Sequence, residues 1–201
     1  MTAVTGPRIT TAPPALEGWL AGTWAIDPAH SSVSFAVRHL MSRVRGTFSD
    51  VSGQIVTDPD PSRSTVTAVI ATASVSTGHE MRDGHLRSAD FFDAELYPEM
   101  TFTSTALRQA AGTSILSGNL TIRDVTRPVD LQVEFLGIDP TGLQGEPRIG
   151  FSACGLISRR DFGITFGLAT EGAKVFVADQ VGITLDIEAF GAAQAVTPPG
   201  E

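Results

Sequence analysis

Between Val129 and Phe135 every second residue is apolar. Val129, Leu131, Val133 and Phe135 alternate with Asp130, Gln132 and Glu134. Only an extended strand turns a period of two into one buried and one wetted face. The same pattern recurs. Val33, Phe35, Val37 and His39 share a face over Ser32–His39, against Ser34, Ala36 and Arg38. Further strands are expected over Thr23–Ile26, Val44–Thr57, Thr65–Val75, Thr101–Arg108, Ser114–Ile122, Arg148–Ser158 and Val175–Ala189. Gly46 and Gly53 are expected as bends or bulges. Asp27-Pro28, Asp58-Pro59-Asp60-Pro61 and Ala111-Gly112 separate the runs as turns. The reading is all-β, with roughly eight long antiparallel strands in sequential order, which favours an up-and-down barrel or a sandwich. A barrel of about eight strands has room for one small ligand.

One stretch, His79–Phe102, breaks the pattern. Thr77-Gly78-His79-Glu80 has capping-box spacing, with Thr77 set to accept from the Glu80 N–H. Met81, Leu86, Phe91 and Phe92 give an apolar side, and Arg82, Asp83, Arg87 and Asp90 a polar one. Gly84 lowers helix propensity, so a short helical insert is expected near residues 78–92, as a cap or lid. Its charged residues are expected to pair and cap one another, with head-group binding by Arg82 and His85 as the alternative.

A chain of 201 residues suits one domain. The formal net charge of −8 argues against a nucleic-acid surface. The single cysteine, Cys154, allows no internal disulfide and reads as an inert packed thiol. No apolar run approaches the ~18 residues of a membrane span. Residues 1–22 carry Pro7, Pro13 and Pro14 and lack the apolar core of a secretory signal. They read as a flexible arm of a cytoplasmic protein, followed by a folded domain over 23–190 and a disordered tail over 191–201.

Candidate chemistry is sparse. Asp27, His30 and Ser31 are the ingredients of a nucleophilic triad, but residues this close at a strand start rarely converge as a triad requires. Hydrogen-bonded capping of the strand is the expected role, and no catalytic residue is assigned. His30, His39, His79 and His85 include no pair at helical metal-site spacing, so no metal is expected. His39 suits either a hydrogen-bonded core position or a contact with a polar head group. Asp161-Phe162-Gly163 lacks the companion motifs of a kinase.

Longer blocks carry a resemblance. Ile26–Leu40 (IDPAHSSVSFAVRHL), Arg82–Asp93 (RDGHLRSADFFD), Tyr97-Pro98 with Thr101-Phe102, Leu120–Val129 (LTIRDVTRPV) and Arg160–Gly163 resemble, in order, the signature of the YceI-like family. The resemblance spans about residues 23–190. It implies an eight-stranded antiparallel lipocalin-like barrel with an apolar channel for long isoprenoid chains, of quinone or prenyl-diphosphate type, and frequent homodimers. Two departures stand out. Asp124 replaces a usual turn glycine and is expected to tolerate the left-handed conformation. Met41-Ser42 replaces the usual glycine after His39-Leu40.

The expected function is therefore carriage or storage of an isoprenoid lipid, without enzymatic activity or cofactor. The alternative is a small-molecule enzyme with polar residues at the barrel mouth, which should show a perturbed acid or base facing the cavity. The expected lining is Val33, Phe35, Val37 and His39 from one strand, Leu116 and Leu120 from another, and Leu131, Val133 and Phe135 from a third. Phe151, Ile183 and Leu185 complete it. Arg82, His85, Phe91 and Phe92 are the head-group or lid candidates. Arg38 is expected outside, because a buried unpaired charge costs several kcal/mol.

Overall fold

The computed structural model describes residues 18–110, 112–142, 145–168 and 176–193. Among them are β1 (Gly22–Ile26), β2 (Ser32–His39), β3 (Ser42–Phe48), β4 (Val51–Thr57), β5 (Thr65–Ala71) and β6 (Val75–Ser76). The helix α1 (Glu80–Arg87) follows, then β7 (Glu99–Ala110), β8 (Thr113–Ile122), β9 (Val125–Asp139), β10 (Arg148–Ser158) and β11 (Val177–Ala193). Every pairing is antiparallel, and the sheet closes because β1 bonds both β4 and β11.

Three staves of the barrel are each built from two strands. β1 and β2 lie end to end along β11, with Ile26 opposite Ala189 and Ser32 opposite Asp186. β3 runs on into β4, and β5 into β6. With β7 to β11 these make a closed eight-stranded up-and-down barrel. In such a meander consecutive strands are neighbours, so short turns suffice to join β7 to β8 and β8 to β9.

The expected Val44–Thr57 strand is broken at Ser49-Asp50 and not at its glycines. Gly46 has another use. A Cβ there would stand 2.4 Å from the Phe35 ring, so the missing side chain lets Phe35 lie across its cross-strand partner. Gly118, whose own cross-strand partner is Ser104, likewise leaves room for the Phe102 ring, 2.3 Å from where a Cβ would stand.

Other boundaries move. β9 begins at Val125, through Pro128, and not at Val129. The arm is docked from residue 18 onward: Ala21 is buried and Gly22 opens β1. β11 continues into the expected tail, where Gly191 pairs with Trp24 and Ala193 with Gly22. Residues 1–17 and 194–201 lie outside the described residues.

In the β8–β9 turn the left-handed residue is Arg123, at φ 58°, and not Asp124. A non-glycine residue there costs roughly 1 kcal/mol. Arg123 is held by its position over the Tyr97 ring and 3.8 Å from the Asp93 carboxylate. The helix start also differs. Gly78 adopts φ 71° and α1 is capped by His79, whose Nδ1 accepts from the Arg82 N–H at 3.5 Å. Thr77 instead donates its N–H (2.8 Å) and its hydroxyl to the buried Asp83 carboxylate. The helix starts two residues later than a cap at Thr77 requires, so the expected capping box does not form. Those bonds, the hydroxyl's first, hold the Asp83 carboxyl below the usual carboxylate range, against the effect of burial.

Candidate functional site

The inward faces of the staves enclose a cavity of about 260 Å³ with an almost wholly apolar wall. An apolar void of about 150 Å³ already stays dry and accepts benzene, because water finds no hydrogen-bond partners in it. This one is larger and can accept an apolar molecule without rearrangement.

The alternating strands supply the wall. Val33, Phe35 and Val37 of β2 line it, as do Leu116 and Leu120 of β8 and Leu131 and Val133 of β9. Phe151 of β10 and Ile183 and Leu185 of β11 complete the residues expected there. Phe135 stands one step back, packing on Phe151 at 5.6 Å between ring centroids. His39 does not line the cavity. It ends β2 opposite Ser42, exposed to solvent, because the hairpin has by then run past the enclosed part of the barrel. Arg38 lies outside, as the cost of burying its charge requires.

One end is lined by Trp19, which belongs to the segment expected as a flexible arm. Its indole N–H donates to the Asp58 carbonyl at 2.8 Å, and its ring meets Phe135 edge-on at 5.2 Å. Nearby, the buried Trp24 donates to the Thr57 hydroxyl at 2.9 Å, and Thr57 donates to the Leu20 carbonyl at 2.7 Å. A polar chain thus fixes the floor, and Trp19 presents its ring to the cavity.

The opposite end carries the lid. Leu86, Phe91 and Phe92 line the cavity there. Phe92 packs on Phe48 at 5.5 Å, and Phe166 meets His85 edge-on at 4.7 Å and Phe91 at a tilt, at 5.4 Å. His85 bonds Asp90 at 2.8 Å, and Arg82 donates to Thr77 at 2.7 Å. Those polar groups are bonded within the lid segment and do not line the cavity.

Arg159 was missed entirely. It is 5 % exposed and lines the cavity near the lid. Its guanidinium donates to four backbone carbonyls, those of Ala178 (2.9 Å), Ile164 (3.2 Å), Phe166 (2.7 Å) and Val177 (2.9 Å). Burial pushes its pKa below the ordinary arginine value, while the neighbouring Asp179 carboxylate acts the other way. Nothing in the local sequence separates Arg159 from the exposed Arg160 beside it. The turn Arg159–Phe162 puts the first inside with Phe162 and the second out.

The triad ingredients serve the break between β1 and β2. Asp27 accepts from Arg148 Nη1 at 2.7 Å and lies 2.8 Å from His30 Nδ1. Arg148, followed by His30, holds the Asp27 carboxyl down to about 2, against the effect of burial. The same Nη1 also donates to Glu188. Asp27, His30 and Glu188 bring their ligand atoms close together, and two of them, Asp27 and Glu188, bond the Arg148 guanidinium. Ser31 bonds the backbone of Glu188 in both directions, at 3.0 and 3.1 Å, so its hydroxyl is tied to β11. Cys154 is exposed on the outer face, opposite Gln132 and Thr184, not packed inside.

Comparison with known proteins agrees with this architecture. Residues 24–189 match the family described as YceI-like domain. Protein YceI of Salmonella arizonae is 40 % identical over 162 residues, covering 78 % of this chain and 83 % of that protein. Burkholderia cenocepacia BcnA superposes with a TM-score of 0.68 at 27 % identity, over 81 % of this chain and 98 % of that one. A Saccharophagus degradans domain described as polyisoprenoid binding shares the fold, with a TM-score of 0.65 at 20 % identity, over 87 % of this chain and 100 % of that one.

Proposed function

The chain belongs to the YceI-like family, and from that premise we propose that it binds a long-chain isoprenoid lipid, of quinone or prenyl-diphosphate type, as a carrier or store. The observation that carries this reading is the apolar cavity between Trp19 and the Phe91–Phe92 lid. Each methylene moved from water into such a wall contributes about 0.8 kcal/mol. A few isoprene units therefore offset an association cost of roughly 4–15 kcal/mol. Arg159 suits the head-group end. A buried cation whose hydrogen-bond partners are all neutral carbonyls favours an electronegative group beside it, such as a quinone oxygen or a phosphate.

The protein acts as a binder and not an enzyme in this reading, since the polar groups near the lid are engaged in structural bonds. Homodimer formation and a cytoplasmic location belong to the same proposal, and light scattering and cell fractionation test them. The central test is mass spectrometry of an organic extract of the purified protein. A long-chain isoprenoid in stoichiometric amount is expected. A protein that is empty and also takes up no added prenyl lipid overturns the reading.

A further inference from the structure

We propose that the β2–β3 hairpin is a docking element for an anionic phospholipid bilayer, with Leu40 and Met41 entering the interface and Arg38, Arg43 and Arg45 meeting the headgroup phosphates. This goes beyond the identity of the barrel ligand and does not depend on it.

The tip has the wrong residues for a turn in water. Leu40 and Met41 form a two-residue connection between His39 and Ser42. Leu40 takes the left-handed conformation, at φ 51°. Glycine, asparagine or aspartate adopt that turn far more readily. Met41 is 100 % exposed and Leu40 38 %, so Met41 gains nothing by burial in the free protein and Leu40 keeps an exposed apolar edge beside it. A strained turn with unburied apolar side chains points to a contact made elsewhere.

The stem carries a second signal. Arg38 stands directly opposite Arg43, and Arg45 follows on the same outer face, opposite Ala36. Like charges paired across strands destabilise a hairpin. Among the described residues none of the three arginines has a carboxylate partner, and Arg38 bonds only the Leu40 carbonyl, at 3.1 Å. The chain as a whole carries a net charge of −8, yet residues 38–45 hold three arginines and no acid. Basic residues flanking an apolar tip complement an anionic lipid surface.

Position gives the third. The Leu40 N–H donates to the Phe176 carbonyl at 3.0 Å, and Phe176 is itself 52 % exposed. Phe166, 45 % exposed, joins this rim to the lid through His85 and Phe91. The hairpin therefore projects from the lidded end of the barrel, and a bilayer touching its tip lies against that end. A second copy of the chain fits less well. Along Ser42–Gly46 the outer edge of β3 has no strand partner among the described residues. Its Arg43 and Arg45 oppose pairing with another such edge.

Flotation of the full chain with vesicles tests this. With phosphatidylcholine mixed with phosphatidylglycerol, the protein should float at low salt and be released at high salt. With phosphatidylcholine alone it should stay behind. Each arginine changed to Gln should weaken partition about fivefold, and R38Q/R43Q/R45Q on the order of a hundredfold. Met41→Asp should weaken it tenfold or more. Arg63→Gln, in the turn at the opposite end, should leave it unchanged. Thermal melts check folding, and lipid extracted from each variant reports the barrel separately. The proposal fails if the wild type ignores anionic vesicles, if R38Q/R43Q/R45Q floats like the wild type, or if Met41→Asp changes oligomeric state but not flotation.

Discussion

Ala153 is the small residue in a ring of large ones. It lines the cavity on β10, opposite Val133 and Leu185, which line it too. Replacing it by Phe adds a phenyl ring to a cavity of about 260 Å³. A benzene-sized group needs about 150 Å³, so more than half the free space is filled. If the cavity is a lipid site, at least one isoprene unit is displaced. Five carbons at about 0.8 kcal/mol each set an upper limit near 4 kcal/mol, roughly a thousandfold in affinity. The fold should not suffer, because cavity filling commonly adds 0.5–2 kcal/mol. A gain of about 1 kcal/mol corresponds to a melting temperature higher by about 2–4 °C in a domain of this size. The assay is lipid recovered per mole of purified Ala153→Phe, beside its thermal melt, with the outward-facing Ala106→Phe as control. An Ala153→Phe protein that melts at or above the wild-type temperature and still retains wild-type lipid refutes the placement of the tail.

Three further outcomes are expected. Asp27 has a folded pKa of about 2 against an ordinary 3.8, so its contribution is present above about pH 4 and lost as the pH falls through 2. It amounts to about 2 kcal/mol, and acid denaturation of Asp27→Asn should lack that part of the slope. Arg159→Met leaves four carbonyls without their donor. It should cost about 3 kcal/mol or more in urea unfolding, and a smaller loss would mean that water replaces the guanidinium. Of the two tryptophans, Trp19 lines the cavity while Trp24 is bonded to Thr57. A fluorescence change on adding an apolar ligand should therefore vanish in Trp19→Phe, and its persistence would move the ligand away from the Trp19 end.

The wall of the cavity was legible because alternation is local. Once β2 is a strand, Val33, Phe35 and Val37 must share a face, and the charge on Arg38 decides which face is inner. His39 obeys the same alternation and still fails to line the cavity. Period specifies a side of a strand, whereas enclosure depends on how far the neighbouring strands reach. The helix cap failed for a related reason. Thr77 and Glu80 have the right spacing, but the helix starts two residues later, at the His79 cap, and Thr77 is bonded to Asp83 instead.

The sequence by itself determined the strand faces, part of the turn positions, the helical insert and, through its ordered blocks, the family. Each follows from residues within a few positions of one another, or from matching segments in order. Only the tertiary structure decided what closes the cavity. Trp19 reaches Asp58, Phe135 and Phe151 from a segment whose composition reads as a loose arm. Arg159 becomes internal because four carbonyls from two separate segments converge on it. Their energies come from contacts distant in sequence, and no local pattern encodes such a meeting.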